Sequence, residues 1–152
     1  SVLNNACWSC GEIAVTEKAN LAPYADKLYH GLSTIINNEE IIDSVNENAA
    51  MALGRLGFCC SDQLASRLAE YAGSFLKSMN KIEFTREKAS AFLGFNHVVM
   101  KNPQALESCL GEYFQAIATF PTKSLHQEDY RDIQSSFQQV RCSFIPLFDG
   151  IC

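Results

Sequence analysis

The chain has little charge and no cluster of one sign. Only 19% of its 152 residues are charged, with 12 lysines and arginines scattered among 17 aspartates and glutamates for a net charge of −5. Nucleic-acid binding depends on neutralising phosphates, and no basic patch is available for that task. A basic partner fits this balance better, although a charge this small is ordinary for a soluble domain. Long hydrophobic runs are missing as well. A helical membrane span needs about 18 consecutive apolar residues, and no segment supplies them; no stretch has the order of a signal peptide.

Catalytic patterns are equally scarce. The three histidines, His30, His97 and His126, stand singly. No nucleophile has a base placed beside it by a motif, no Gly-rich loop is shaped for phosphate, and no paired carboxylates have supporting context. Neither enzymatic activity nor a cofactor is expected. Strand-like alternation and low-complexity tracts are also absent, which leaves an all-α reading.

Seven cysteines are present, and an odd number does not read as a disulfide framework. Cys7, Cys10, Cys59, Cys60 and Cys109 sit inside apolar helical patterns, with Cys142 and Cys152 near the end. Free thiols in a reducing compartment are expected. Cys7-x-x-Cys10 and Cys59-Cys60 could converge on zinc, but structural zinc pairs sit on turns or knuckles. Cys7 and Cys10 fall within one helix, so buried thiols are the better reading and no metal is expected.

What the sequence does contain is a repeat. Asn5-Ala6-Cys7-Trp8-Ser9-Cys10-Gly11-Glu12-Ile13 returns 43 residues later as Asn48-Ala49-Ala50-Met51-Ala52-Leu53-Gly54-Arg55-Leu56. A fainter copy, Lys88-Ala89-Ser90-Ala91-Phe92-Leu93-Gly94-Phe95, follows 40 residues after the second. A period of roughly 40 to 47 residues marks paired-helix HEAT or armadillo repeats. The pattern predicts an all-α solenoid of antiparallel helix pairs, with seven helices over about 1–15, 21–37, 44–58, 61–80, 85–101, 103–120 and 128–140. Ser61-Asp62 is placed to cap the fourth, a turn-rich link is expected over 121–127, and 145–152 shows no clear period. Solenoids need polar capping repeats; the chain opens at Ser1 directly in helical pattern, so it reads as one fragment, 1–152, of a longer protein.

On a helical wheel, Leu3, Ala6, Cys10, Ile13 and Ala14 form the expected buried stripe of the first helix. Trp8 falls nearly opposite, among Asn4, Asn5 and Glu12. In the second copy Val45, Ala49, Ala52, Leu53 and Leu56 are the buried stripe, and Met51 points away beside Glu47, Asn48 and Arg55. The same repeat position is thus apolar and outside the core twice. Tryptophan carries a large apolar payload and is favoured as an interface anchor; packing beneath a neighbouring loop is the alternative for Trp8. Small residues recur at Ala6, Ala49 and Ala89 and at Gly11, Gly54 and Gly94, where they let helices approach closely.

The run Asn4-Asn5-Ala6-Cys7-Trp8-Ser9-Cys10-Gly11-Glu12-Ile13, with Pro23-Tyr24, Glu47-Asn48-Ala49 and Gly54-Arg55-Leu56-Gly57, resembles the C-terminal HEAT repeats of the transportin, or karyopherin-β2, branch of importin-β nuclear transport receptors. The likeness continues through 88–103 and thins after about Gln127. It implies a receptor that shuttles between cytoplasm and nucleus through nuclear pores, carrying cargo with a basic, extended proline-tyrosine type nuclear localisation signal along its concave inner helices. Trp8 matches the family tryptophan that receives the upstream hydrophobic or basic part of the signal. Asn4, Glu12, Met51, Asn48 and Glu47 are the expected flanking contacts. The resemblance places the proline-tyrosine subsite and Ran-GTP on repeats outside this chain and implies nucleoporins as partners of the full receptor. A HEAT scaffold that binds a folded protein without transport is the rival reading.

Overall fold

The structure, a computed structural model, describes residues 1–120 and 127–148. Seven α-helices follow one another: α1 (Val2–Glu17), α2 (Ala25–Ile36), α3 (Asp43–Ala65), α4 (Leu68–Lys81), α5 (Arg86–Lys101), α6 (Leu110–Thr119) and α7 (Gln127–Phe148). Tighter 3-10 turns over Lys18–Tyr24 and Pro103–Cys109 join α1 to α2 and α5 to α6. No strand occurs among the described residues. Helices α1, α3, α5 and α7 stack as one layer, and α2, α4 and α6 stack as a second. This is the HEAT-repeat solenoid that the period predicts. The turn-rich link expected over 121–127 lies largely outside the described residues, as does the segment from 149 onward.

The two layers seal a core in which large side chains from α4 and α5 meet. Phe75 stacks on Phe95 with ring centroids 4.1 Å apart, and Phe92, Tyr113, Phe120 and Phe137 extend the cluster edge to face. Tyr71, Phe75, Phe92, Phe95 and Tyr113 are buried. One polar group is enclosed with them. Asn96 accepts the Tyr113 hydroxyl at 2.7 Å and donates to Ser136 Oγ at 2.9 Å, tying α5 to α6 and α7. Where α3 crosses α5 the backbones almost touch. A Cβ at Gly54 would lie 2.6 Å from the Ala91 carbonyl oxygen, and one at Gly57 would collide with the Gly94 carbonyl. Only glycine permits that approach.

Several boundaries differ from the sequence expectation. The break expected after Phe58 falls as a kink at Cys60 (φ −131°, ψ 26°), where two helical stretches of α3 meet, and the second stretch runs only to Ala65. Leu64, one turn after Cys60, continues the buried stripe across this kink. No hydrogen bond from Ser61 or Asp62 caps the stretch after the kink, and Asp62 instead pairs with Lys101 at 3.0 Å. Helix α2 begins at Ala25, because the segment around Pro23, which has no N–H for an α-helical bond, winds as a 3-10 turn. The turn opened by Pro103 delays α6 in the same way. Thr85, by contrast, caps α5 through its hydroxyl, which accepts the Lys88 N–H at 3.1 Å.

The first helix is also rotated relative to its wheel. Cys7, Gly11 and Ala14 are buried, whereas Leu3 and Ile13 are each 43% exposed and Ala6 is exposed. Helix α1 has one stacking partner, α3, while α3 lies between α1 and α5. The small face of α1 is the one that docks, since Gly11 comes within 3.3 Å of the Ala52 Cα measured from an added Cβ. In α3 the expectation holds, with Val45, Ala49, Ala52, Leu53 and Leu56 all buried.

Candidate ligand-binding surface

Close stacking of α1 on α3 brings the two repeat copies side by side. Trp8 is 54% exposed, and its indole borders a small notch of about 10 Å³ with Gly11, Asn48, Met51, Arg55 and Glu87. Met51 is half-buried and packs its inner side on the core. One apolar group from each copy therefore frames a single spot, and a third helix, α5, closes it with a carboxylate.

Two polar ties fix the register of α1 on α3 around that spot. Asn48 Nδ2 donates to Asn4 Oδ1 at 2.9 Å, and Arg55 Nη1 donates to Glu12 Oε1 at 2.6 Å. The sequence partners are 44 and 43 residues apart, one repeat in each case. The Arg55–Glu12 bond is charge-assisted, a kind that is short and directional. Arg55 is 7% exposed, so its pairing with Glu12 compensates a charge that would otherwise be buried alone.

Of the six expected contacts, Trp8, Met51 and Asn48 border the notch together. Asn4 joins through its bond to Asn48, and Glu12 through Arg55. Glu12 is therefore not a free carboxylate. Its charge is matched by Arg55, which weakens the acidic ring expected around Trp8. Glu47 is not brought to the notch: it lines a separate groove of about 370 Å³ with Asn46, Lys77, Ser78 and Lys81. One residue along a helix turns about 100°, enough to separate Glu47 from Asn48.

Arg55 and Glu87 are the residues that the wheel did not assign. Arg55 looked like one more polar neighbour of Met51, and its burial depends on Gly11 leaving room across the interface, where Arg55 Cδ and Nη1 would lie 3.4 Å from an added Cβ. Glu87 lies on another helix, outside any single wheel. The 40-residue step from Glu47 lands on it, and that was its one sequence signal.

Metal ligation has no comparable geometry. Among the described residues no three His, Cys, Asp or Glu side chains converge. Cys7, Cys10, Cys59, Cys60, Cys109 and Cys142 are free. Burial raises the Cys7 and Cys10 thiols above their ordinary pKa and pushes Cys60 up to about 12, aided by the Cys59 thiol 3.5 Å away. Burial of this kind disfavours the thiolate and so slows chemistry that needs it.

No family model matches the chain. It is similar to transportin-1 of Mus musculus and of Homo sapiens, 31% identical in each case over 133 residues, 88% of this chain and 14% of theirs. Importin subunit beta-2 of Schizosaccharomyces pombe is 28% identical over 150 residues, 99% of this chain and 16% of its own length. The chain thus spans about a sixth or less of the curated relatives it matches. These likenesses, reaching from a mammal to a fission yeast over most of the same residues, accompany a helical repeat with the expected period, and the chain belongs to the transportin branch of the importin-β family.

Proposed function

We propose that this chain is a segment of a nuclear import receptor whose Trp8 surface takes the upstream hydrophobic or basic part of a proline-tyrosine type nuclear localisation signal. The observation that carries this reading is the half-exposed indole beside Met51, held in place by repeat-to-repeat bonds on both sides. An apolar side chain of the signal lies against Trp8 and Met51, and Asn4 and Asn48 face its main chain. Basic neighbours in the signal are drawn to Glu87, which carries no ion-pair partner among the described residues. Glu12 contributes mainly by holding Arg55, and Glu47 is left out of this contact set. The proline-tyrosine dipeptide, Ran-GTP and nucleoporins engage other parts of a longer receptor that shuttles between cytoplasm and nucleus.

Trp8→Ala in the full-length receptor tests this assignment. A peptide with an apolar or basic upstream motif should bind about 30-fold more weakly, the loss of an interface anchor worth about 2 kcal/mol. A peptide cut back to its proline-tyrosine end should bind both receptors alike. Equal affinity of the longer peptide for the two receptors contradicts the assignment.

A further inference from the structure

Cys59 and Cys60 are neighbours in sequence whose side chains also meet. On a regular helix adjacent side chains point about 100° apart, which keeps two neighbouring thiols from facing each other. At the kink in α3, Cys60 leaves helical geometry, and its Sγ lies 3.5 Å from Cys59 Sγ. The Cys60 thiol donates to Cys59 Sγ, and the Cys59 thiol donates to the Leu56 carbonyl at 3.3 Å. The two differ in their access to solvent. Cys60 is fully buried, whereas Cys59 is half-buried.

We propose that Cys59 and Cys60 form a reversible modification site, which a hydroperoxide closes to a disulfide between adjacent residues. Cys59, the sulfur within reach of solvent, attacks one oxygen of hydrogen peroxide: an S–O bond forms, the O–O bond breaks, and the departing hydroxide takes up the thiol proton as water. Cys59 is then a sulfenic acid, oxidised by two electrons. Cys60 attacks that sulfur across the kink, so that an S–S bond forms, the S–O bond breaks, and hydroxide leaves with the Cys60 proton as a second water. Two thiols and one peroxide thus give one disulfide and two waters. Burial raises both thiols above their ordinary pKa, so the pair stays reduced at low peroxide and closes under a heavy oxidant load.

The closed form is built to reopen. Consecutive Cα atoms stand about 3.8 Å apart, short of the about 4.4 Å at which ordinary disulfides begin; such a bond is strained and yields readily to a dithiol. Closure also acts on the fold. Drawing the two Sγ atoms from 3.5 Å to a bond of about 2.05 Å turns Cys60 and re-aims the stretch after the kink. That stretch is tied to the end of α5 by the pair Asp62–Lys101 at 3.0 Å and by Asn102 Nδ2, which donates to the Ala65 carbonyl at 2.9 Å. Oxidation therefore loosens this end of the α3–α5 contact.

The test is made on the full-length receptor, treated with hydrogen peroxide and then with iodoacetamide to block free thiols. After tryptic digestion, peptide 56–67, which holds both cysteines between the cleavage points at Arg55 and Arg67, should lack two hydrogens and carry no blocking group. Dithiothreitol added before blocking should restore both thiols and admit two blocking groups. In Cys60→Ser the reaction should stop at a Cys59 sulfenic acid that dimedone traps. Amide hydrogen exchange over 61–65 should speed up several-fold in the oxidised receptor and stay unchanged in peroxide-treated Cys59→Ser. Two blocking groups on peptide 56–67, in a sample where the exposed Cys142 is oxidised, overturn the proposal. So does a Cys59 driven on to the sulfinic acid or bonded to any other cysteine, since either shows that Cys60 does not resolve it. A closed disulfide with unchanged exchange overturns the loosening of the α3–α5 contact.

Discussion

Single residues decide how stably this surface is held. Asn96 is fully buried and satisfies the Tyr113 hydroxyl, so Asn96→Ala strands a buried donor and should lower the unfolding free energy by about 1–3 kcal/mol, read from the urea midpoint. Tyr29 supplies a pH signature. Burial, then the hydrogen bond to Glu70 at 2.7 Å, pushes its pKa up from 10 to about 12, and burial raises Tyr71 and Tyr113 in the same direction. A folded-state pKa above the unfolded one favours the fold fully below the unfolded value, and that contribution is lost as pH climbs through the folded value. Stability should therefore fall between about pH 10 and pH 12. Tyr29→Phe should flatten part of that fall in urea titrations at stepped pH; an unchanged slope contradicts this account of Tyr29.

Elements show which parts of the fold the amino-acid pattern encodes. The α3–α5 crossing depends on glycine, so Gly57→Ala, whose new methyl would meet the Gly94 carbonyl, should cost about 1–3 kcal/mol or more by overpacking. Gly31 in α2 and Gly73 in α4 face open space, and changing either to alanine should instead stabilise by about 0.5–1 kcal/mol. Thermal melts of the three variants check both signs. Helix number, the buried stripe of α3 and the outward Trp8 were all legible, because each depends on period alone. The docking face of α1 was not. A wheel finds the apolar stripe of Leu3 and Ile13, but which face meets a neighbour depends on the flat patch at Gly11, and close approach favoured the small residues. The break after Phe58 was legible and falls at the kink at Cys60; what stayed hidden is that the stretch after it ends at Ala65, with Leu64 in the core, and that α4 begins anew at Leu68. Arg55 and Glu87 needed two and three helices in view at once, so no one-segment pattern could join them to Trp8.

At the scale of the whole molecule, stacked repeats turn a weak sequence echo into one surface. The net charge of −5 and the lone Glu87 carboxylate give a basic segment a mild pull, and exposed charges more than about 8–10 Å apart are screened at physiological salt. Raising the salt from about 0.05 M to about 0.5 M should slow association of a basic peptide and weaken it only a few-fold, leaving the apolar contact intact. A loss of affinity by orders of magnitude would assign the binding to charge instead. The most direct measurement of the central claim uses the fact that Trp8 is the single tryptophan of this chain. Its fluorescence is followed while a signal peptide with an upstream apolar residue is added to saturation, with peptide anisotropy reporting occupancy. A shift of the indole emission to shorter wavelength, in step with occupancy and absent for a peptide lacking that residue, is the expected result; a bound peptide that leaves the emission of Trp8 unchanged contradicts the account.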